Sequence, residues 1–167
     1  MPISEHLRNL RAKVGNDLLV VPSVTAILFD DRERILLARH ASGGVWVAPG
    51  GSVDPNESPS DAVVRETWEE TGLLVEPVRV LGVYGGPEFG VTYGNGDRVT
   101  YVMSLFECRR LGGEERPDGE ETLELGWFSE ADLEGLRLPA WARLVLADVF
   151  RDRGRAHFQA PRWKPGA

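Results

Sequence analysis

Four glutamates and an arginine, Glu57, Arg65, Glu66, Glu69 and Glu70, lie between Gly51 and Gly72 in the run GSVDPNESPSDAVVRETWEETG. Glu66, Glu69 and Glu70 are spaced by three and four residues, so on a helix their carboxylates leave from one face. Like charges crowded in this way repel and raise one another's pKa. A hard divalent cation removes the conflict, and an all-carboxylate ligand set suits Mg2+, with Mn2+ as the alternative. Mg2+ completes its shell with water and substrate phosphate oxygens, which makes an incoming diphosphate the missing ligand. A solvated acidic face is the plainer reading of three glutamates alone; their fixed register with Gly51, Glu57, Arg65 and Gly72 argues against it.

A helix must carry these groups. Pro59 and Ser60 stand where it would begin, Asp61 places negative charge in its first turn, and Gly72 tolerates the left-handed conformation that ends a helix. Val64, Thr67, Trp68 and Thr71 are expected on the opposite, core-facing side. Around it, Leu18 to Phe29 and Ile35 to Ala38, separated by the polar DDRER cluster, suggest a hairpin, and Trp46 to Ala48 a short strand running into Pro49-Gly50-Gly51. Val75 to Tyr84 and Arg98 to Glu107 are further strands, with an Asn95-Gly96 turn before the second. After the loop Gly112 to Glu120, Leu123 to Phe128 makes a last strand, and Ser129 is placed to cap a helix containing Leu133 and Leu136. A final helix follows Pro139, with Trp141, Leu144, Val145 and Val149 as its apolar contacts. At the other end Ser4 can cap a short helix carrying Ile3, Leu7, Leu10 and Val14 and ending near Gly15, read as a docking or dimer-contact element. The expected organisation is an N-terminal helical extension over 1–17, one domain over 18–150, and a loosely packed basic tail over 151–167.

Composition narrows the function. A chain of 167 residues with 42% hydrophobic residues can bury one real core. A net charge of −7 argues against a general grip on nucleic-acid backbone, which needs dense Lys and Arg. The single cysteine, Cys108, excludes an internal disulfide and fits a buried structural residue in a reducing, cytoplasmic compartment. No secretory signal is visible, and the apolar stretch Leu18 to Phe29 is too short to span a bilayer.

The stretch Gly51 to Leu73 resembles a Nudix box, G-x5-E-x7-R-E-U-x-E-E-x-G-U with U a bulky apolar residue; every fixed position is met and only Thr67 departs, at a U position. The similarity extends upstream through ILLARH and WVAPGG and downstream through LELGWFSEADL, covering about Leu18 to Leu136, with Ala48 smaller than the aliphatic residue common before the proline. The resemblance implies an α/β fold, an α/β/α sandwich with a mixed central β-sheet, and hydrolysis of a nucleoside diphosphate linked to another moiety. Carried over by position, Glu66, Glu69 and Glu70 would hold the metal together with the Gly50 carbonyl, and Glu57 and Arg65 would orient those carboxylates. The general base is Glu66 or a glutamate of the Gly119-Glu120-Glu121 loop, and Glu120, Glu121 and Glu124 can extend the metal shell. A homodimer is a further implication.

For the substrate, Arg39 can reach a phosphate, and Tyr84, Phe89 and Tyr93, in or beside a breaker-rich segment, can stack a nucleobase. Trp46 is read as core, and His40 and His157 receive no metal role. Pro87 lies near the place where ADP-ribose-cleaving members carry a proline. ADP-ribose or a nucleotide sugar is the first expectation, a noncanonical nucleoside triphosphate the second, and a capped RNA end is disfavoured for want of a basic surface. A non-catalytic nucleotide-sensing module is the rival reading, although such modules often lose box glutamates that this chain keeps. A diphosphate-ester isomerase would call for additional Cys and metal-binding His groups.

Overall fold

A computed structural model describes residues 4–165. In chain order its elements are α1 (Glu5–Val14), β1 (Leu19–Leu28), β2 (Ile35–His40), β3 (Trp46–Val47), β4 (Gly50–Ser52), α2 (Pro59–Thr71), β5 (Leu73–Tyr84), a 3-10 turn (Pro87–Phe89), β6 (Gly90–Thr92), β7 (Arg98–Gly113), β8 (Thr122–Phe128), a second 3-10 turn (Ala131–Gly135), α3 (Ala140–Arg151) and β9 (His157–Phe158).

The main sheet runs β4-β1-β7-β5-β9, with β6 paired to β7. It is mixed, because β1 runs parallel to β7 and β9 parallel to β5 while the other pairs are antiparallel. A second sheet, β3-β2-β8, stands beside it. The expected β1–β2 hairpin is therefore not a ladder. One antiparallel bridge, Phe29 to Ile35, joins the two strands before they part into different sheets. The cause lies in β2, where Ile35, Leu36, Leu37 and Ala38 are all fully buried. Ile35 and Leu37 enter one apolar cluster and Leu36 the other, so the strand is wedged between layers instead of lying on an open sheet face.

The first cluster joins Ile27, Leu81, Met103 and Leu105 of the main sheet to Val145, Leu146 and Val149 of α3. The second joins Val24, Ala26, Leu28, Val75 and Phe106 to Ala62 and Val63 of α2. Alternate residues of one strand thus feed opposite sides, as strand geometry requires, and the α/β layering follows.

Several local expectations change. Ser129 does not cap an α-helix: its backbone N–H and hydroxyl both donate to Asp132, and a single 3-10 turn results. Leu123 to Phe128 is not the last strand, because His157 and Phe158 pair with Gly82 and Val83. Within the basic tail these two residues form the short strand, and Arg153 pairs with Glu33 at 2.6 Å and lies 4.2 Å from the Phe29 ring centroid, while Phe158 and Trp163 stay exposed. At the N-terminus, Ser4 accepts from the Leu7 N–H and caps α1 as expected, but no residue of that helix is buried. Ile3 lies outside the described residues. Cys108 is buried, and burial pushes its thiol up to about 12, which suits an inert structural residue.

Candidate active site

Helix α2 starts on Ser58, whose hydroxyl oxygen accepts from the Asp61 N–H at 3.1 Å, with Pro59 in the first turn. Such a cap is worth about 1 kcal/mol. The helix stops at Gly72, at φ 71°, where an added Cβ would fall 2.5 Å from the Glu114 carbonyl oxygen. Its inward face carries Ala62, Val63, Glu66, Thr67, Glu70 and Thr71. Two of the carboxylates therefore share the buried side with the core residues, against the expectation of separate faces, and Trp68 is the residue turned out, 49% exposed. Thr67 fills the position expected to be bulky and apolar. It is fully buried, and its hydroxyl is satisfied by the Val63 carbonyl at 2.6 Å.

Against this helix lies the turn after β3. A Cβ on Gly50 would sit 2.1 Å from the Val24 carbonyl oxygen, so only glycine lets β4 approach β1 this closely. The approach lets the Gly50 N–H donate to Glu70 Oε2 at 3.1 Å. Glu70 Oε1, buried, has no hydrogen-bond partner among the described residues; His40 Nε2 is 3.9 Å away, beyond bonding reach. Burial holds the Glu70 carboxyl well above the usual carboxylate range, and Glu66, Glu121 and Asp118 push the same way. Burial also raises Glu66, to about 7, although Arg65 opposes it. Burial lowers His40, so its contact with Glu70 is not that of an established ion pair.

Arg65 organises the acidic groups. It grips Glu57 with Nε at 2.8 Å and Nη2 at 2.9 Å, donates from Nη2 to the Ser52 carbonyl at 3.1 Å, and sends Nη1 to Glu66 at 2.9 Å and Glu69 at 3.1 Å. The two-pronged bond to Arg65 is the main reason Glu57 sits below its ordinary pKa. The loop before β8 supplies the opposing wall. Asp118 Oδ1 accepts from the N–H groups of Glu120, Glu121 and Thr122 at 2.8, 2.8 and 2.9 Å. Burial pushes Asp118 up, but those three donors outweigh it and hold the group low. Burial raises Glu121.

The result is an acidic cavity of about 470 Å³ on whose wall Glu66, Glu69, Glu70, Glu120, Glu121 and Asp118 meet. Among the described residues, no three His, Cys, Asp or Glu side chains are already gathered in metal-binding geometry. The donor chemistry nevertheless fits a divalent cation: an orphaned, buried carboxylate oxygen beside a second buried glutamate is the arrangement a cation relieves. A second cavity, of about 550 Å³, shares Ser52 with the first and is largely apolar, with Phe89, Tyr93, Tyr101, Met103 and Trp141 in its wall.

The substrate residues expected from sequence divide. Tyr93 and Phe89 line the apolar cavity, Phe89 from a buried position with its ring 6.4 Å from that of Trp141. Tyr84 does not: it is 2% exposed, and its hydroxyl reaches Asp148 on α3. Arg39 pairs with Glu124 at 2.8 Å, and neither lines either cavity. Trp46 packs edge-on against Phe128 at 4.8 Å, as core. Sequence reading missed Asp118, Tyr101 and Trp141 as site residues and His40 as a wall of the apolar cavity. Of these only Asp118, in a Pro-Asp-Gly turn, carried a local signal.

Residues 20–149 match the model of the NUDIX domain. The chain belongs to the NUDIX family. Its enzyme class is that of the Nudix pyrophosphohydrolases. It is 36% identical over 107 residues to a MutT-like protein of Streptomyces ambofaciens, covering 64% of this chain and 62% of that one, somewhat under two thirds of the relative's length. A putative 8-oxo-dGTP diphosphatase of Bacillus subtilis is 34% identical over 71% of this Nudix chain and 73% of its own. Among solved structures, one described as an ADP-ribose pyrophosphatase from Streptococcus suis superposes with a TM-score of 0.60 at 32% identity, covering 83% of this chain and 96% of that one.

Proposed function

We propose that this Nudix protein hydrolyses the phosphoanhydride linkage of a nucleoside diphosphate joined to another group, with ADP-ribose or a nucleotide sugar as the leading substrate. The observation that carries the reading is the junction at Ser52 of an acidic cavity with an apolar, aromatic-lined one. A nucleotide has the matching polarity, a flat base at one end and a charged diphosphate at the other. Glu66, Glu69 and Glu70, with the Gly50 carbonyl, would hold Mg2+ or Mn2+. Such a cation supplies charge neutralisation at the phosphate and a lowered pKa for water.

The remaining work falls to the chain. Arg65 aligns Glu66 and Glu69 and is itself fixed by Glu57. Asp118 holds the loop so that Glu120 and Glu121 face α2 across the cavity. Glu121 or Glu66 takes the proton from the attacking water; Glu66 is buried, Glu121 partly so, and both are raised in pKa, which makes each a better base near neutral pH than an exposed carboxylate. Phe89, Tyr93 and Trp141 receive the base. Tyr84 and Arg39 are left out of the substrate site for the reasons given above.

A noncanonical nucleoside triphosphate is the second reading, favoured by the name of the Bacillus relative. A reducing cytoplasmic setting, supported by the lone buried Cys108, and a homodimer belong to the proposal as well; no helix among the described residues is long and apolar enough to cross a membrane. The test is phosphate-product release across nucleoside triphosphates, ADP-ribose, nucleotide sugars and dinucleoside polyphosphates, each with Mg2+, Mn2+ or chelator. Cation-dependent cleavage of ADP-ribose or nucleotide sugars is expected. Cleavage confined to triphosphates moves the assignment to the second reading, and binding without cleavage moves it to a sensing module.

A further inference from the structure

Helix α1 lies outside the residues matched to the family and buries none of its own. One of its side chains is nevertheless almost enclosed. Arg11, 10% exposed, donates from Nη1 to the Gly15 and Asp17 carbonyls at 3.0 and 2.6 Å and from Nη2 to the Arg98 carbonyl at 2.7 Å, while its Nε stands 3.5 Å from the Asp97 carboxylate. Gly15 and Asp17 belong to the segment leaving α1; Asp97 ends the β6–β7 turn and Arg98 opens β7. A single guanidinium therefore joins two segments far apart in sequence. Asn16 strengthens the seam, donating to the Asn95 carbonyl and accepting from Arg98 Nε, each at 3.3 Å. A Cβ on Gly96 would fall 2.7 Å from Asn16 Nδ2, so the Asn16 side chain lies directly against the turn.

The clamped turn carries Tyr93. Its backbone N–H donates to the Asp97 carbonyl at 2.9 Å, its hydroxyl meets that of Tyr101 at 2.6 Å, and both rings line the apolar cavity. At the far end of the helix Ser4, the cap of α1, lines the acidic cavity. Helix α1 thus reaches from one cavity to the turn that walls the other.

We propose that α1 is a strap across the substrate site and that Arg11 is a positioning residue, holding the β6–β7 turn so that Tyr93 is fixed as a wall of the cavity that receives the nucleobase. The proposal rests on the nucleotide reading of that cavity. A turn of sequence Tyr-Gly-Asn-Gly-Asp has much conformational freedom to lose, and ordering it before substrate arrives removes that cost from binding. Lysine cannot replace the clamp, because one ammonium lacks the planar fork that reaches carbonyls on two segments.

Amide hydrogen exchange at residues 93–98 and steady-state kinetics on the cleaved nucleotide, measured together on the full chain, decide the matter. The variants are Arg11→Ala, Arg11→Lys, Tyr93→Ala and the double variant Arg11→Ala/Tyr93→Ala, with Lys13→Ala on the same helix as the control. In Arg11→Ala, exchange at Tyr93 and Gly96 should quicken by about tenfold or more as the turn opens locally. KM should rise roughly tenfold with kcat held within about twofold, the pattern of lost binding rather than lost chemistry. Arg11→Lys should not rescue, and the double variant should show no higher KM than Tyr93→Ala alone. Unchanged exchange at the turn, additive KM effects, or a loss mainly in kcat would each overturn the proposal. If the wild-type protein neither binds nor cleaves any nucleotide, the functional reading falls and the substrate half of this inference with it, while exchange at the turn still decides the clamp.

Discussion

The acidic and apolar cavities touch at Ser52 but are built on opposite terms. The acidic wall comes mainly from one helix and one loop, and it is held in an unfavourable electrostatic state: Glu66 and Glu70 are buried and both raised in pKa. The apolar wall draws on β1, the segment around β3, the first 3-10 turn, β6, β7 and α3, and satisfies itself by packing. One region stores repulsion that a cation and substrate can relieve; the other stores shape. Reaction chemistry is therefore expected to depend on the first, and the choice of substrate on the second.

The sharpest way to break that division is Glu70→Gln. Its charge should be lost with little change in shape, so cation-dependent turnover should fall by about a thousandfold or more, as when a reacting group's electrostatic partner is removed. The metal-free fold should melt no lower than wild type, since the repulsion is relieved. Full retained activity would remove Glu70 from the metal set. Next, Glu121→Gln and Glu66→Gln compared side by side should identify the base: the true one loses on the order of a hundredfold or more in kcat. Glu121→Gln should leave cation affinity almost unchanged, and an unchanged rate there returns the role to Glu66 or to Glu120.

Arg65→Ala is expected to act through the ligands it aligns. Metal affinity should weaken by about ten- to a hundredfold, read by titrating Mn2+ against activity and against Mn2+ binding. On the apolar side, Trp141→Leu should raise KM by roughly fivefold with kcat preserved, the cost of a lost aromatic contact of about 1 kcal/mol. A kcat loss equal to that of Arg65→Ala would erase the division between the cavities.

The smallest effect is on stability and pH. Glu66 moves from 4.5 to about 7 in the folded protein, and Glu70 moves the same way. The folded state then binds these protons more tightly than the unfolded chain, so metal-free stability should rise as pH falls from about 8 toward 5 and level off near the unfolded carboxylate value. Below that, the depressed groups Glu57 and Asp118 should begin to cost stability as they are protonated. Thermal melts in chelator across this range should show the rise, and saturating Mg2+ should flatten it. A chelated protein that loses stability steadily below pH 8 would contradict the buried-carboxylate picture.

Much of the acidic region was legible because its information is local. Helical periodicity sets the spacing of Glu66, Glu69 and Glu70, and Gly72 must end the helix because its backbone is left-handed. The same periodicity misplaced Trp68, since a helical wheel does not say which side a sheet will cover. It also missed that Glu66 and Glu70 share the buried face. The hairpin expected for β1 and β2 failed for a related reason: proximity in sequence favours pairing, but the burial of Ile35 to Ala38 on both sides demanded a position between layers.

The apolar cavity, by contrast, could not be read along the chain. Phe89 and Tyr93 were visible as aromatics near glycines, yet so was Tyr84, which the fold turns into the core against Asp148. Trp141 looked like an ordinary helix contact, and nothing local marked Arg11, whose partners Asp97 and Arg98 lie far along the chain. The sequence by itself determined the charge, spacing and helix that crowd the carboxylates, because those depend on neighbours within a few turns of one helix. Tertiary structure alone decided which aromatics face the ligand, which carboxylates are dehydrated and what holds the β6–β7 turn, because burial and long-range contact are properties of packed surfaces, fixed only when distant segments meet.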